Sequence, residues 1–222
     1  YGWTIHKSME VRAVGHAFAN YYGWHYPPTF LFVASALALI PILPATVMWF
    51  AITLPAYLVT VRSILGDRAG YLLALGFPAT LWNVTATQNG FLTAALIGGT
   101  LTMLERRPTA AGICLGLLSY KPHFGLLFPV VLALSGHWRV FIAAAVTAIL
   151  MMAASFAAFG LETWQAFFLS IPHTSQAFLS DGWANFGKLQ TRGGRGRTGH
   201  GGETLAWTLQ IALALASAVV VT

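Results

Sequence analysis

The sequence predicts an all-α, polytopic membrane protein, and three observations carry that prediction. Hydrophobic residues make up 57% of the 222 and charged residues 8%, against the roughly 25% charged share of soluble domains. The apolar stretches are continuous and rich in Leu and Ala, whereas a membrane β-barrel would show segments of about ten residues with alternating polarity. Charged and aromatic residues collect where the apolar runs end, as membrane boundaries favour. The net charge of +6 is then topological. Its positive residues are scattered at run ends and in one Gly/Arg stretch rather than gathered on a face, so we expect no nucleic-acid partner. Cys114 stands alone inside an apolar run, which excludes a disulfide within the chain and fits core packing.

We expect one membrane-embedded domain over residues 1–222: an extracytoplasmic loop with an interfacial helix over 1–27, membrane helices over 28–159, an extracytoplasmic loop over 160–202 and a membrane helix over 203–222. In the first segment Val11, Val14, Ala17 and Phe18 recur at helical spacing. The cluster from Tyr21 to Pro28 carries the Tyr and Trp rings that a membrane boundary attracts. The run from Thr29 to Ile40 is shorter than the about 20 residues a crossing needs, so it reads as a short re-entrant or interfacial helix. Pro41 and Pro44 are expected to break the chain there. The run from Ala45 to Val61, bent at Pro55, ends at Arg62, Asp67 and Arg68. Tyr71 to Leu81 is interrupted by Gly76 and Pro78 and leads to Asn83-Val84-Thr85, an accidental glycosylation triplet too near an apolar run to serve as an acceptor.

From Gln88 to Arg139 the polar residues sit only at bends. Gln88-Asn89-Gly90, Glu105-Arg106-Arg107-Pro108, Tyr120-Lys121-Pro122-His123 and His137-Trp138-Arg139 punctuate three apolar runs. Cytoplasmic loops collect Lys and Arg. Arg106, Arg107 and Arg139 are therefore assigned to the cytoplasm, with Arg62 and Arg68 on the same side, and Gln88, Asn89, Lys121 and His123 to the opposite face, where we expect the chemistry. Val140 to Phe159 returns to the outer face. The loop after Gly160 carries Trp164, His173, Gln176, Asp181 and Trp183, and by position it is a candidate reader of the acceptor. The stretch from Thr191 to Gly202 has no apolar residue. It reads as a flexible loop, an RGG-like segment or a frame-shifted stretch, and composition favours disorder.

Lys121 is the sharpest candidate. A lysine at such depth is costly and is usually functional or paired, although one at a helix end also snorkels to the surface. A compact ammonium suits a phosphate. His25 and His123 are as readily interfacial hydrogen-bonding residues as catalytic ones. We find no metal-ligand spacing, no P-loop and no Gly-rich dinucleotide turn, and expect no metal and no cofactor.

The order Trp24-His25-Tyr26-Pro27-Pro28, Gln88-Asn89-Gly90, Arg106-Arg107-Pro108 with Ala111-Gly112 and Gly116-Leu117, Tyr120-Lys121-Pro122-His123 and Trp138-Arg139 resembles glycosyltransferase family 87. This is the DUF2029 group, which includes polyprenyl-phosphomannose-dependent α-mannosyltransferases, and the likeness covers roughly residues 1–190. It implies a GT-C fold in a multi-pass protein of the bacterial plasma membrane, with an extracytoplasmic site that moves a hexose from a polyprenyl-phosphate carrier to a lipid or glycan acceptor. On this resemblance Lys121 would serve the phosphate, and His25, Tyr26, Gln88, Asn89 and His123 the sugar hydroxyls or carrier oxygens. The resemblance places the base, an Asp, in a loop upstream of Tyr1. We therefore expect a preceding membrane helix and no base in this incomplete chain. Glu10, the remaining acid of the first segment, reads as a surface residue. Two alternatives stay open on the residues alone. Helices broken at Pro41, Pro44, Pro55 and Pro78 suit a small-solute transporter or channel, and an early truncation suits a non-catalytic membrane remnant.

Overall fold

The computed structural model describes residues 1–16, 23–125 and 127–175 and the isolated positions 208 and 212. The Gly/Arg stretch, and all of the last apolar run but positions 208 and 212, lie outside the described residues. Every regular element among the described residues is helical. They form two compact units, one of residues 1–25 with those from Phe159 onward, the other of residues Tyr26–Ala158.

In the first unit, α1 (Trp3–Val14) follows the helical spacing of the sequence and stops at Gly15, whose φ of 82° needs no Cβ. Tyr1 meets Phe167 edge-on at 5.6 Å. Glu10 differs from expectation: it is partly buried, with one carboxylate oxygen 3.2 Å from His6 Nε2 one turn away.

The second unit opens with a 3-10 turn, Pro28–Phe30, leading into α2 (Leu31–Ala38). Then comes α3 (Ile42–Leu65), 24 residues long. Pro44 does not break the chain as expected, because it occupies the first turn of α3, where an N–H would have no partner in the helix. Pro55 lies inside α3, which continues beyond it. The helices α4 (Ala69–Gly76) and α5 (Pro78–Thr85) are divided at Pro78 as the sequence indicated. The hairpin follows: α6 (Gly90–Met103), α7 (Pro108–Leu117), two 3-10 turns over Leu118–Tyr120 and Pro122–Gly125, then α8 (Phe128–Leu134). The last helix, α9 (Trp138–Ser175), is interrupted at Gly160 by φ 78° and ψ 168°, a combination open in practice to glycine alone. The sequence reading ended a membrane run at Phe159 and began a loop. Helix resumes instead and reaches Ser175.

Polarity is inverted relative to a soluble core. Leu39, Ile42, Leu72, Leu134 and Leu169 are at least 70% exposed, while Thr53, Thr100 and Ser155 are at most 2% exposed. Apolar side chains face outward because lipid is as apolar as they are, and the hydroxyls turn inward to carbonyl partners. Thr53 bonds Trp49 O at 2.8 Å, and Thr100 bonds both Leu96 O at 2.8 Å and Ala111 O on the next helix at 3.2 Å. Among the described helices, α3 and α9 have the length and hydropathy of a crossing. The chain is an all-α membrane protein.

Small residues bring the helices together. On α7, Gly112 and Gly116 lie one turn apart, and a Cβ at either would fall 2.4 Å from Ala143 Cβ or 2.5 Å from Thr147 Cβ on α9. A Cβ at Gly98 of α6 would meet Thr60 Cγ2 of α3 at 2.3 Å. Such spacing is how helices approach without a solvent-driven force. The bends then meet in pairs. At one end of the hairpin, His137 Nε2 lies 2.8 Å from Glu105 Oε1, with Ser135 Oγ 2.7 Å from His137 Nδ1. The opposite end holds the residues singled out by the sequence.

Candidate functional site

The site grows from two breaks in helix. The first precedes α6. Asn83, in α5, is buried; its Oδ1 accepts the Gly90 N–H at 2.8 Å and its carbonyl accepts the Gln88 N–H at 2.9 Å. This side chain holds the Gln88-Asn89-Gly90 bend, and glycine is required at 90 because a Cβ there would lie 2.3 Å from Asn83 Oδ1. Thr87 enters the bend at φ 48°, a costly conformation for a β-branched residue. The triplet read as an accidental glycosylation site is thus a buried structural amide.

The second break is Tyr120-Lys121-Pro122. Proline disfavours helical backbone in the residue before it, and Lys121 takes φ −125° and ψ 76°. Its half-buried ammonium donates to Thr93 Oγ1 at 2.9 Å and lies 5.9 Å from the Tyr120 ring centroid. The Tyr120 hydroxyl is 2.9 Å from the same Thr93 oxygen, which itself donates to Asn89 O at 3.0 Å. Tyr120, Asn89 and Thr93 are all buried. Phe30 stacks on Tyr120 at 4.7 Å, and Tyr26 sits 4.9 Å from Phe30 and 6.2 Å from Tyr120, ring centre to ring centre. Burial raises the Tyr26 phenol above its usual range, and a side-chain hydrogen bond with Asn89 acts the other way. Burial alone lowers the Lys121 ammonium below its usual range. No carboxylate lies within ion-pair distance of Lys121 among the described residues.

The structure therefore brings Tyr26, Asn89 and Lys121 together. Gln88 is exposed beside them and enters the bend through its backbone. His123 is exposed, with its ring 4.5 Å from that of Phe124. His25 is exposed and belongs to the first unit. Sequence reasoning missed Thr93 and Asn83. One of several threonines in apolar helices carries no mark of its direction, and the Asn83 triplet, rightly read as accidental, gave no sign of the bend it holds.

An apolar cleft of about 230 Å³ opens between the end of α7, the Pro122–Gly125 turn, α8 and the first half of α9, lined by Ser119, Phe124, Phe128, Leu132, Phe141 and Ala148 among others. Ser119 Oγ is buried there without a hydrogen-bond partner among the described residues. The Lys121 ammonium keeps N–H donors that Thr93 does not use, and the apolar cleft is lined from the residue after it, Pro122.

A sequence model of glycosyltransferase family 87 matches residues 24–222. No curated protein and no solved structure matches the chain.

Proposed function

The chain belongs to glycosyltransferase family 87, and on that premise we propose that it moves a hexose, mannose by resemblance, from a polyprenyl-phosphate carrier to a lipid or glycan hydroxyl. The family is one of transferases, so the transport alternative falls. Transfer takes place on the extracytoplasmic face of the plasma membrane, which the protein crosses several times.

The observation that carries this reading is Lys121. Its half-buried ammonium is held on Thr93 at the end of the hairpin with no carboxylate in ion-pair distance among the described residues, a setting that suits a phosphate. In the transfer, an acceptor hydroxyl attacks the anomeric carbon as the bond from that carbon to the phosphate oxygen breaks. The electron pair leaves with the phosphate, and Lys121 stabilises the charge that develops there. Asn89 and Tyr26 neighbour the same point and serve the sugar or carrier oxygens, with Gln88 and His123 exposed on the same unit. The acceptor proton goes to a carboxylate.

Lys121→Ala in the full gene product tests the reading. Transfer from a polyprenyl-phosphate hexose should fall about 10²- to 10³-fold, the loss typical of removing one donor to a developing oxyanion. Unchanged turnover removes Lys121 from the site.

A further inference from the structure

We propose that Thr93 is a positioning residue for this site, presenting the Lys121 ammonium with two N–H donors left for an anion. The inference rests on the reading of Lys121 as the phosphate ligand. It follows from the accounting of one hydroxyl. Thr93 Oγ1 has a single proton and two lone pairs, and three groups surround it: Asn89 O at 3.0 Å, the Tyr120 hydroxyl at 2.9 Å and Lys121 Nζ at 2.9 Å. A carbonyl only accepts and an ammonium only donates. The Thr93 proton therefore goes to Asn89 O, and its lone pairs receive one Lys121 N–H and the Tyr120 O–H. The oxygen is saturated.

Two consequences follow. Tyr120 is fixed as a donor, with Phe30 stacked on its ring, and so forms a wall rather than a reacting group. Lys121 uses one of its three N–H groups, and Thr93 is the one hydrogen-bond partner of its ammonium among the described residues. A lysine stem is long and flexible. Here its tip is tied to α6, a helix other than its own, through a threonine that is 7% exposed. A threonine inside a helix ordinarily satisfies itself on the carbonyl four residues back. Thr93 does so and in addition accepts two donors from the far side of the hairpin.

The test measures binding of farnesyl monophosphate to the purified full gene product in detergent, with farnesol as the control for chain binding alone. Thr93→Val keeps the shape and removes the hydroxyl, and affinity for the phosphate should fall about 10-fold, the usual cost of a hydrogen bond to a charged group. Thr93→Ser should stay within a few-fold of the parent. In a Lys121→Ala background Thr93→Val should have no further effect, because its action runs through the lysine. Should Thr93→Val fail to fold, Thr93→Ala takes its place in each comparison. If Lys121→Ala weakens binding while Thr93→Val does not, the positioning role is wrong and the phosphate reading survives. Equal losses in the Val and Ser variants, or a loss that persists without Lys121, would mean that Thr93 acts through packing. If neither Lys121→Ala nor Thr93→Val alters phosphate binding, the phosphate reading itself fails.

Discussion

Adding one methyl group at Gly112 or Gly116 should separate α7 from α9. At Gly112 the new Cβ would sit 2.4 Å from Ala143 Cβ, 2.6 Å from Val140 O and 3.0 Å from Ala144 N; at Gly116 it would sit 2.5 Å from Thr147 Cβ and 2.7 Å from Ala144 O. Backbone and Cβ atoms cannot swing aside. Ordinary carbon contacts are about 3.5–4.0 Å, so the helices must part by about 1 Å or more. Overpacking of this kind costs about 1–3 kcal/mol. Gly99 supplies the control, because its nearest neighbours, Cys114 Sγ and Met103 Cε, would be 3.6 Å from an added Cβ. All three substitutions gain the same helix preference for Ala over Gly, about 1 kcal/mol. The difference between them therefore isolates the clash. At about 3 °C per kcal/mol for a chain of this size, Gly112→Ala and Gly116→Ala should melt roughly 3–9 °C below Gly99→Ala in detergent, followed by intrinsic fluorescence. Melting at or above the Gly99→Ala temperature would refute close contact between α7 and α9.

Three other outcomes can be checked on the same preparations. Asn83→Ala leaves the Gly90 N–H without its acceptor and should cost about 1–3 kcal/mol, read as a lower melting temperature with hydrogen exchange faster at residues 88–90 than elsewhere. Burial lowers the Lys121 pKa below lysine's usual 10.5, so the ammonium is present below the lowered value and lost as pH rises through it. Farnesyl monophosphate affinity should then weaken at a lower pH than an exposed lysine would give, and stability should rise with pH between the two values, because there the unfolded chain binds more protons; a binding curve flat to pH 10.5 would contradict this. Ala148→Trp fills the cleft beside Ser119 and should raise KM for a long-chain carrier more than for a water-soluble short-chain one; equal changes for both would mean that the chain lies elsewhere.

Much of the hairpin was legible because its punctuation is covalent chemistry. Pro78, Pro108 and Pro122 each open a helix or turn where the sequence placed a break. The bends meet in pairs, since Glu105 contacts His137 at one end and Lys121 contacts Thr93 at the other. Pro44 misled because a proline's effect depends on whether its missing N–H falls in the first turn or deeper. Gly160 misled in the other direction, since a single glycine interrupts a helix without ending it. Within the site, Lys121 announced itself by the cost of a charge in an apolar setting. Thr93 did not, because Thr93, Thr100 and Thr102 all bond the carbonyl four residues back, and only the packing of α6 on α7 shows which of them receives the lysine. Asn89 turns inward and Gln88 outward by the accident of a bend that depends on Asn83.

The hairpin also makes this site sensitive to length rather than to composition. Thr93 stands in the first turn of α6 and Tyr120 just past the end of α7, so their meeting is set by how many residues each rod contains. One apolar residue exchanged for another of similar size along α7 leaves that count intact. A single residue inserted or deleted between Gly112 and Leu117 would rotate everything after it by about 100° and shift it by about 1.5 Å, carrying Lys121 away from its hydroxyl while every helix remained a good helix. Related sequences can therefore drift freely in their apolar letters, whereas insertions and deletions should be confined to the bends.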